Sequence, residues 1–373
     1  MSKNNTLVAN KSNNRQSNIE LLRIIAMVLI IAHHFSIHGG FNFATSNVTI
    51  NRLWIQFIQL GGKIGVDIFV IISGYFLITA KSNKISKILK LWVQIFMYSI
   101  GIYALFIITG IETYKVEDLI SCLLPITYSR WWFASAYFVL YLISPYLNMF
   151  LTSLDKHIYQ RILVLTTLLW CIMPTLFKTS FQSSYLIWFM YLYALAGYIR
   201  LHIKDINISN KKCTLVIFTC VAIAFFNAVF CDYVGIRCED FLDYATKFYG
   251  MQTLPVVLIS VFTFILFLNL NIKHNKIINC VASATFGVYL IHDNGFVRTF
   301  LWKTVFRNAS FSESAFLIPY SVAVIAIVFV ICTIIELFRI YILEKHYLNF
   351  LDKFSSKING YIEKFFNLKF FKE

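Results

Sequence analysis

Ile19-Glu20-Leu21-Leu22-Arg23-Ile24-Ile25-Ala26-Met27-Val28-Leu29-Ile30-Ile31-Ala32-His33-His34-Phe35-Ser36-Ile37-His38 decides the fold. An apolar run of this length, about 20 residues, crosses a bilayer as a helix. Ser17-Asn18-Ile19-Glu20 opens it with a capping-box pattern, which starts a helix cleanly. The run has no small-residue cleavage site, so it is expected to be retained rather than removed as a signal. Arg23 and His34 stand on it with ten residues between them. Eleven steps of ~100° return His34 to within ~20° of Arg23, roughly 16 Å further along the axis. Ionisable groups inside a bilayer are costly and usually line a functional cavity. One helix face thus carries two such groups at two depths.

Working outward, the whole chain has the same character. It has 373 residues, 58% of them hydrophobic and only 14% charged, against about a quarter charged in soluble domains. Ten stretches are long enough to span: 19–38, 62–80, 88–110, 131–152, 160–178, 184–201, 213–231, 248–270, 277–298 and 314–340. The expected fold class is all-α, a polytopic integral membrane bundle of about ten transmembrane helices. Residues 1–18 form a cytoplasmic tail, 19–340 the membrane domain, and 341–373 a basic cytoplasmic tail. With the N-terminus inside, 22 Lys and Arg fall on the cytoplasmic side and ten on the other, as the positive-inside rule requires. Both termini are then cytoplasmic. The net charge of +15 does not indicate nucleic acid, because Lys and Arg lie between apolar runs rather than on one soluble face. The eight Cys show no metal-ligand spacing. Cys231 and Cys238 flank a loop placed outside the cell, where a disulfide could persist.

Orientation gives each charged residue a depth. The second stretch runs inward and reads Gly61-Gly62-Lys63-Ile64-Gly65-Val66-Asp67-Ile68-Phe69-Val70-Ile71-Ile72-Ser73-Gly74-Tyr75-Phe76. Asp67 falls near the depth of His34, where a carboxylate can fix an imidazole tautomer and raise its basicity. His34 is the candidate general base; His33 points ~100° away. His34 and His38 are an i,i+4 pair that could bind a metal, but no further ligand is evident in the sequence, and no metal is assigned. Arg23, Lys84, Lys87, Lys90 and Arg339 make the inner level basic and suited to an anionic cytosolic ligand. Glu336 is the expected partner of Arg23. Ser129-Arg130-Trp131-Trp132-Phe133 and Tyr137 open the fourth stretch. They read either as an interfacial aromatic belt or as a stacking platform for a sugar. His292, near the level of His34, is a further candidate catalytic residue.

Taken together these motifs resemble the acyltransferase-3 family of integral membrane acyltransferases. The resemblance rests on Arg23 and His34, on Gly65-Val66-Asp67-Ile68-Phe69 followed by Ile72-Ser73-Gly74-Tyr75-Phe76, and on Phe286-Gly287-Val288-Tyr289-Leu290-Ile291-His292, in that order. It covers about residues 18–345 and looks most like the bacterial surface-polysaccharide O-acetyltransferases. The resemblance implies a bacterial plasma-membrane enzyme. Its donor is a cytosolic acyl-CoA, most simply acetyl-CoA, and there is no permanently bound cofactor. The acceptor is a surface glycan or its lipid-linked precursor. It implies donor contacts from Arg23, Ser73, Gly74, Lys87 and Lys90, and acceptor contacts from Arg130, Trp131, Trp132 and Tyr137. The catalytic group is then His34 with Asp67 and His292. The family's Arg-rich opening of the third helix is here Lys87 and Lys90, and Lys cannot reproduce a bidentate Arg fork. O-succinyl transfer, a transporter or flippase for lipid-linked glycan, and a non-catalytic partner of a polysaccharide machine are the alternatives. A transporter would favour broken helices in repeated positions, and the sequence shows no such repeat.

Overall fold

The computed structural model describes residues 15–366 apart from 45–46, 83, 178 and 204–207. Among them every regular element is helical: α1 (Ser17–His38), α2 (Ile50–Gln59), α3 (Gly61–Leu77), α4 (Ile85–Ile108), α5 (Val116–Leu123), α6 (Trp132–Ser153), α7 (Lys156–Thr167), α8 (Met173–Leu176), α9 (Tyr185–His202), α10 (Asn210–Gly235), α11 (Leu254–Asn269), α12 (Lys276–Ser283), α13 (Thr285–His292), α14 (Gly295–Thr299), α15 (Leu317–Phe338) and α16 (Lys345–Phe366). The chain is therefore an all-α polytopic membrane bundle. Among the described residues, eight helical stretches are long and apolar enough to cross a membrane. The other two expected spans fall on α9, with 18 residues, and on the pair α12–α13, which is apolar but shorter.

α1 and α3 form the centre. Glycines on α3 set their closeness, because a Cβ at Gly62 would lie 2.2 Å from the His33 ring and one at Gly65 would lie 2.5 Å from the Ala26 carbonyl oxygen. Small residues at a helix seam let backbones approach, which is how membrane helices gain packing without a hydrophobic drive between them. On the far side of α3, Gly74 meets the Tyr193 backbone of α9 in the same way. α12, α13 and α15 close around the other flank of α1, and α13 begins only after a break at Ala284.

Three features add to the sequence reading. Residues 341–366 of the basic C-terminal segment are helical, since a π turn at Arg339–Glu344 joins α15 to α16. α10 continues to Gly235, and Asp232 is fully buried, accepting from Arg52 Nη2 at 2.7 Å. A lone buried carboxylate would be prohibitive, so the acid needed a partner from another element, here α2. Cys231 is buried and Cys238 exposed, and both are free thiols.

Candidate active site

The site is built around α1 and α13. His292 is fully buried at the end of α13, and its Nδ1 lies 2.6 Å from the Val288 carbonyl oxygen. A carbonyl only accepts, so this nitrogen carries the proton and donates. In the neutral ring Nε2 is then bare. It lies 2.9 Å from His34 Nδ1, which must therefore be the protonated nitrogen and donate to it. Two short contacts thus fix two tautomers, and His34 keeps Nε2 as its unprotonated, basic nitrogen. Asp293 adds a carboxylate 3.6 Å from His34 Nδ1. That is too long for a hydrogen bond but well placed to stabilise an imidazolium. Arg298 holds the same carboxylate from 3.5 Å.

His34 opens on a cavity of about 150 Å³, which it lines with His33, His38, Lys63, Trp132, Tyr289, Asp293 and Arg298. This cavity belongs to the end of the bundle where α1 finishes. His33 donates from Nδ1 to the Gln59 carbonyl oxygen at 2.7 Å; it differs from His34 in having neither the His292 nor the Asp293 contact that holds the His34 ring and would stabilise its imidazolium. His34, His38 and Asp293 bring three metal-capable groups within 4.8 Å of one another. The carboxylate that the sequence did not offer to the His34–His38 pair is thus present. Arg298 against Asp293 and Lys63 on the same wall work against a dication there.

At the opposite end a second cavity, of about 580 Å³, is lined by Arg15, Lys90, Gln94, His274, Lys276, Asn279, Phe286, Glu336, Arg339 and Glu344 among others. Arg339 makes a bidentate pair with Glu336, at 2.8 and 2.7 Å, and reaches Glu344 at 3.0 Å. Glu336 is completed by Gln94 at 2.9 Å and Tyr98 at 2.5 Å. Lys90 pairs with Glu344. One short helix connects the two cavities: Phe286 lines the larger and Tyr289 and Asp293 the smaller. Phe286 and Asp293 are seven residues apart, roughly 10 Å along a helix. Tyr137 and Phe133 pack between them, with Tyr137 to Phe286 6.5 Å and Phe133 to Tyr289 5.5 Å between ring centres.

The sequence candidates separate clearly against this geometry. His34 and His292 meet. Asp67 does not reach His34; it accepts from Trp188 Nε1 at 3.1 Å on the other side of α3. Gly62 meets His33 while Gly65 already meets Ala26, so Asp67 lies deeper along α3 than His34, and Asp293 stands where Asp67 was expected. Glu336 serves Arg339 rather than Arg23. Arg23 lies 4.0 Å from Glu20 and lines neither cavity. Lys84 and Lys87 are exposed, and only Lys90 of that run turns into the larger cavity. Its remaining basic groups, Arg15, His274 and Lys276, lie in segments that the sequence reading treated as topological markers. Ser73 Oγ donates to the Phe69 carbonyl and lies 3.1 Å from the Tyr137 hydroxyl. Gly74 is a packing contact with α9. Trp131 is buried and offers no open face, whereas Trp132 lines the smaller cavity. Arg130 turns to Ser121 and Asp118, at 3.2 and 3.8 Å.

The acyltransferase domain family, acyltransferase-3, matches residues 16–337. The chain belongs to the acyltransferase-3 family. The match runs from the start of α1 almost to the end of α15, so it includes the smaller cavity, the α13 helix and most of the larger cavity, whose Arg15, Arg339 and Glu344 lie just outside it. Comparison with curated proteins and with solved structures gave no match. Membership makes the chain a multi-pass membrane acyltransferase.

Proposed function

We propose that this acyltransferase moves an acyl group, most simply acetyl, from acyl-CoA bound at the larger cavity to a glycan hydroxyl presented at the smaller one. The observation that carries the reading is the His292–His34 contact, which leaves one bare imidazole nitrogen on a cavity wall. The Lys/Arg asymmetry supports a cytoplasmic larger cavity and an outward-facing smaller one, and in this reading the membrane is the bacterial plasma membrane. Arg15, Lys90 and Lys276 supply the positive charge that coenzyme phosphates require. The acyl-pantetheine arm follows α13, past Phe286 and Tyr137, and brings its thioester to His34. His34 Nε2 takes the proton from the acceptor hydroxyl as its oxygen attacks the thioester carbonyl. The C–O bond forms, the C–S bond breaks, and the imidazolium returns the proton to the departing thiolate, giving ester and free coenzyme. Asp293 and His292 stabilise the imidazolium between these steps. The acceptor is a surface polysaccharide or its lipid-linked precursor.

The test is acyl transfer in cells that make the polysaccharide, read as O-acyl proton signals. The wild-type chain should install them, and His34→Ala should lose them at equal protein level. A full O-acyl signal with His34→Ala would end this assignment. A succinyl signal in place of acetyl would keep the mechanism and change only the donor.

A further inference from the structure

The smaller cavity has a feature that acyl transfer alone does not use. Lys63 is on the first turn of α3 and lines that cavity. Asp293 is held by Arg298, and Asp67 is turned toward Trp188. Among the described residues Lys63 has no carboxylate within 4.0 Å. Its close contact is with Trp132, whose ring centre is 4.8 Å from Nζ. An ammonium in a partly buried position is costly without a counter-charge, and cation–π contact offsets only part of that cost.

Lys63 also lines a third cavity. This one is open, about 760 Å³, and carries Thr179, Ser180, Ser183, Ser184, Gln252 and Thr253 on its walls. Pro174, Tyr185 and Met251 share the wall, and the lining as a whole is more apolar than polar; such a mixture suits a sugar, which presents hydroxyl edges and apolar ring faces together. Ser183 Oγ accepts from Gln252 Nε2 at 2.7 Å, which ties the two sides of the cleft together. Lys247, the other cation on its wall, is committed to the Leu176 carbonyl oxygen at 3.1 Å, and Asp243 stands exposed at the surface. Lys63 is therefore the junction between an open cleft of mixed polar and apolar lining and the small chamber that holds His34.

We infer that the open cleft is an acceptor-binding site and that Lys63 recognises an anionic group on the acceptor. The substrate class is then an acidic glycan, bearing a carboxylate or phosphate close to the hydroxyl that is acylated. The anion gives Lys63 the close ion-pair partner it lacks, since Asp67 and Asp293 act on it only from beyond 4.0 Å, and Trp132 lies beside the neighbouring sugar ring. This rests on the proposed acyl transfer only for the identity of the reacting hydroxyl, since the cleft and its charge are independent of the reaction. The same chemistry could be met by the diphosphate of a lipid carrier.

A binding experiment separates these. Purified protein in detergent is applied to a panel of oligosaccharides carrying uronic acid or phosphate, each paired with its carboxyl-reduced or dephosphorylated counterpart. Farnesyl diphosphate is titrated in parallel as an anion without sugar. Wild type should retain acidic members over neutral counterparts by about tenfold or more, the scale of one charge-assisted contact. Lys63→Gln should erase the preference and Lys63→Arg should keep it. Lys63-dependent binding of farnesyl diphosphate alone would support the anion site and place its anion on the carrier. Equal retention of acidic and neutral members, no retention at all, or a preference unchanged in Lys63→Gln with no Lys63-dependent diphosphate binding, would overturn the inference. Because the readout is binding, acidic glycan retained without any acyl transfer would count against the proposed reaction and not against Lys63.

Discussion

Replacing His292 by Phe tests the relay that fixes the base. Phe fills much of the same volume in a fully buried position but offers no acceptor. His34 Nδ1–H would lose the partner it has at 2.9 Å. An unsatisfied buried donor costs about 1–3 kcal/mol. If that cost falls on the reactive tautomer, at ~1.4 kcal/mol per decade, kcat should drop by on the order of 10- to 100-fold. Asp293, 3.6 Å away, can shift to accept the proton and hold the loss toward the lower figure. The double variant His292→Phe/Asp293→Leu should therefore approach the whole general-base contribution, ~10²–10⁴-fold. His292→Gln restores an acceptor and should recover part of the rate. The assay is initial-rate acyl transfer in proteoliposomes against donor and acceptor concentration, at matched protein. Both KM values should stay near wild type, because His292 touches neither substrate. Wild-type kcat in both the single and the double variant would refute the relay.

On the donor side, Lys90→Ala and Lys276→Ala should raise the KM for acyl-CoA several-fold with acceptor KM unchanged, while Arg23→Ala, which lines neither cavity, should do less; titration of donor in the same assay reads the order. Arg52→Ala leaves Asp232 buried without its partner, which should cost about 3–5 kcal/mol and appear as lost thermal stability in detergent, whereas Arg52→Met/Asp232→Leu should recover most of it. Gly287→Ala puts a Cβ 2.2 Å from the Glu336 carboxyl carbon; overpacking of this kind costs ~1–3 kcal/mol, and the disturbed Glu336–Arg339 pair should lower both the melting temperature and donor affinity. Reporter fusions at residue 240 and at the C-terminus should report opposite sides of the membrane, and the same side for both would invalidate the assignment of the two cavities.

The helical membrane class was legible because apolar runs of spanning length are a one-dimensional signal. The position of each charged residue along its own helix was legible for the same reason. The offset between neighbouring helices and the direction around each axis were not. Gly62 meets His33 and Gly65 already meets Ala26, so Asp67 lies deeper than His34, and the packing of α3 against α9 turns it toward Trp188. The short elements α2 and α5 escaped because they lie between spans, and α16 because its charges disguise an amphipathic helix as a tail. The larger cavity's basic groups come from Arg15, His274 and Lys276, which are distant in sequence. No periodicity relates them; the fold brings them together at the end of the bundle where α1 and α12 begin. The α1–α3 glycine seam was visible as Gly61, Gly62 and Gly65, but its use, admitting the His33 ring, needed coordinates.

The most direct test of the account compares His34→Ala with His33→Ala. These neighbours are equally buried, so a loss of folding would strike both. The measurement is the O-acyl content of purified polysaccharide, by proton NMR, from cells carrying each variant at matched membrane levels. The contacts of His34 with His292 and Asp293, which His33 lacks, predict near-complete loss for His34→Ala and a much milder effect for His33→Ala. Full acylation with His34→Ala, or equal loss from both, would contradict the assignment of His34 as the base.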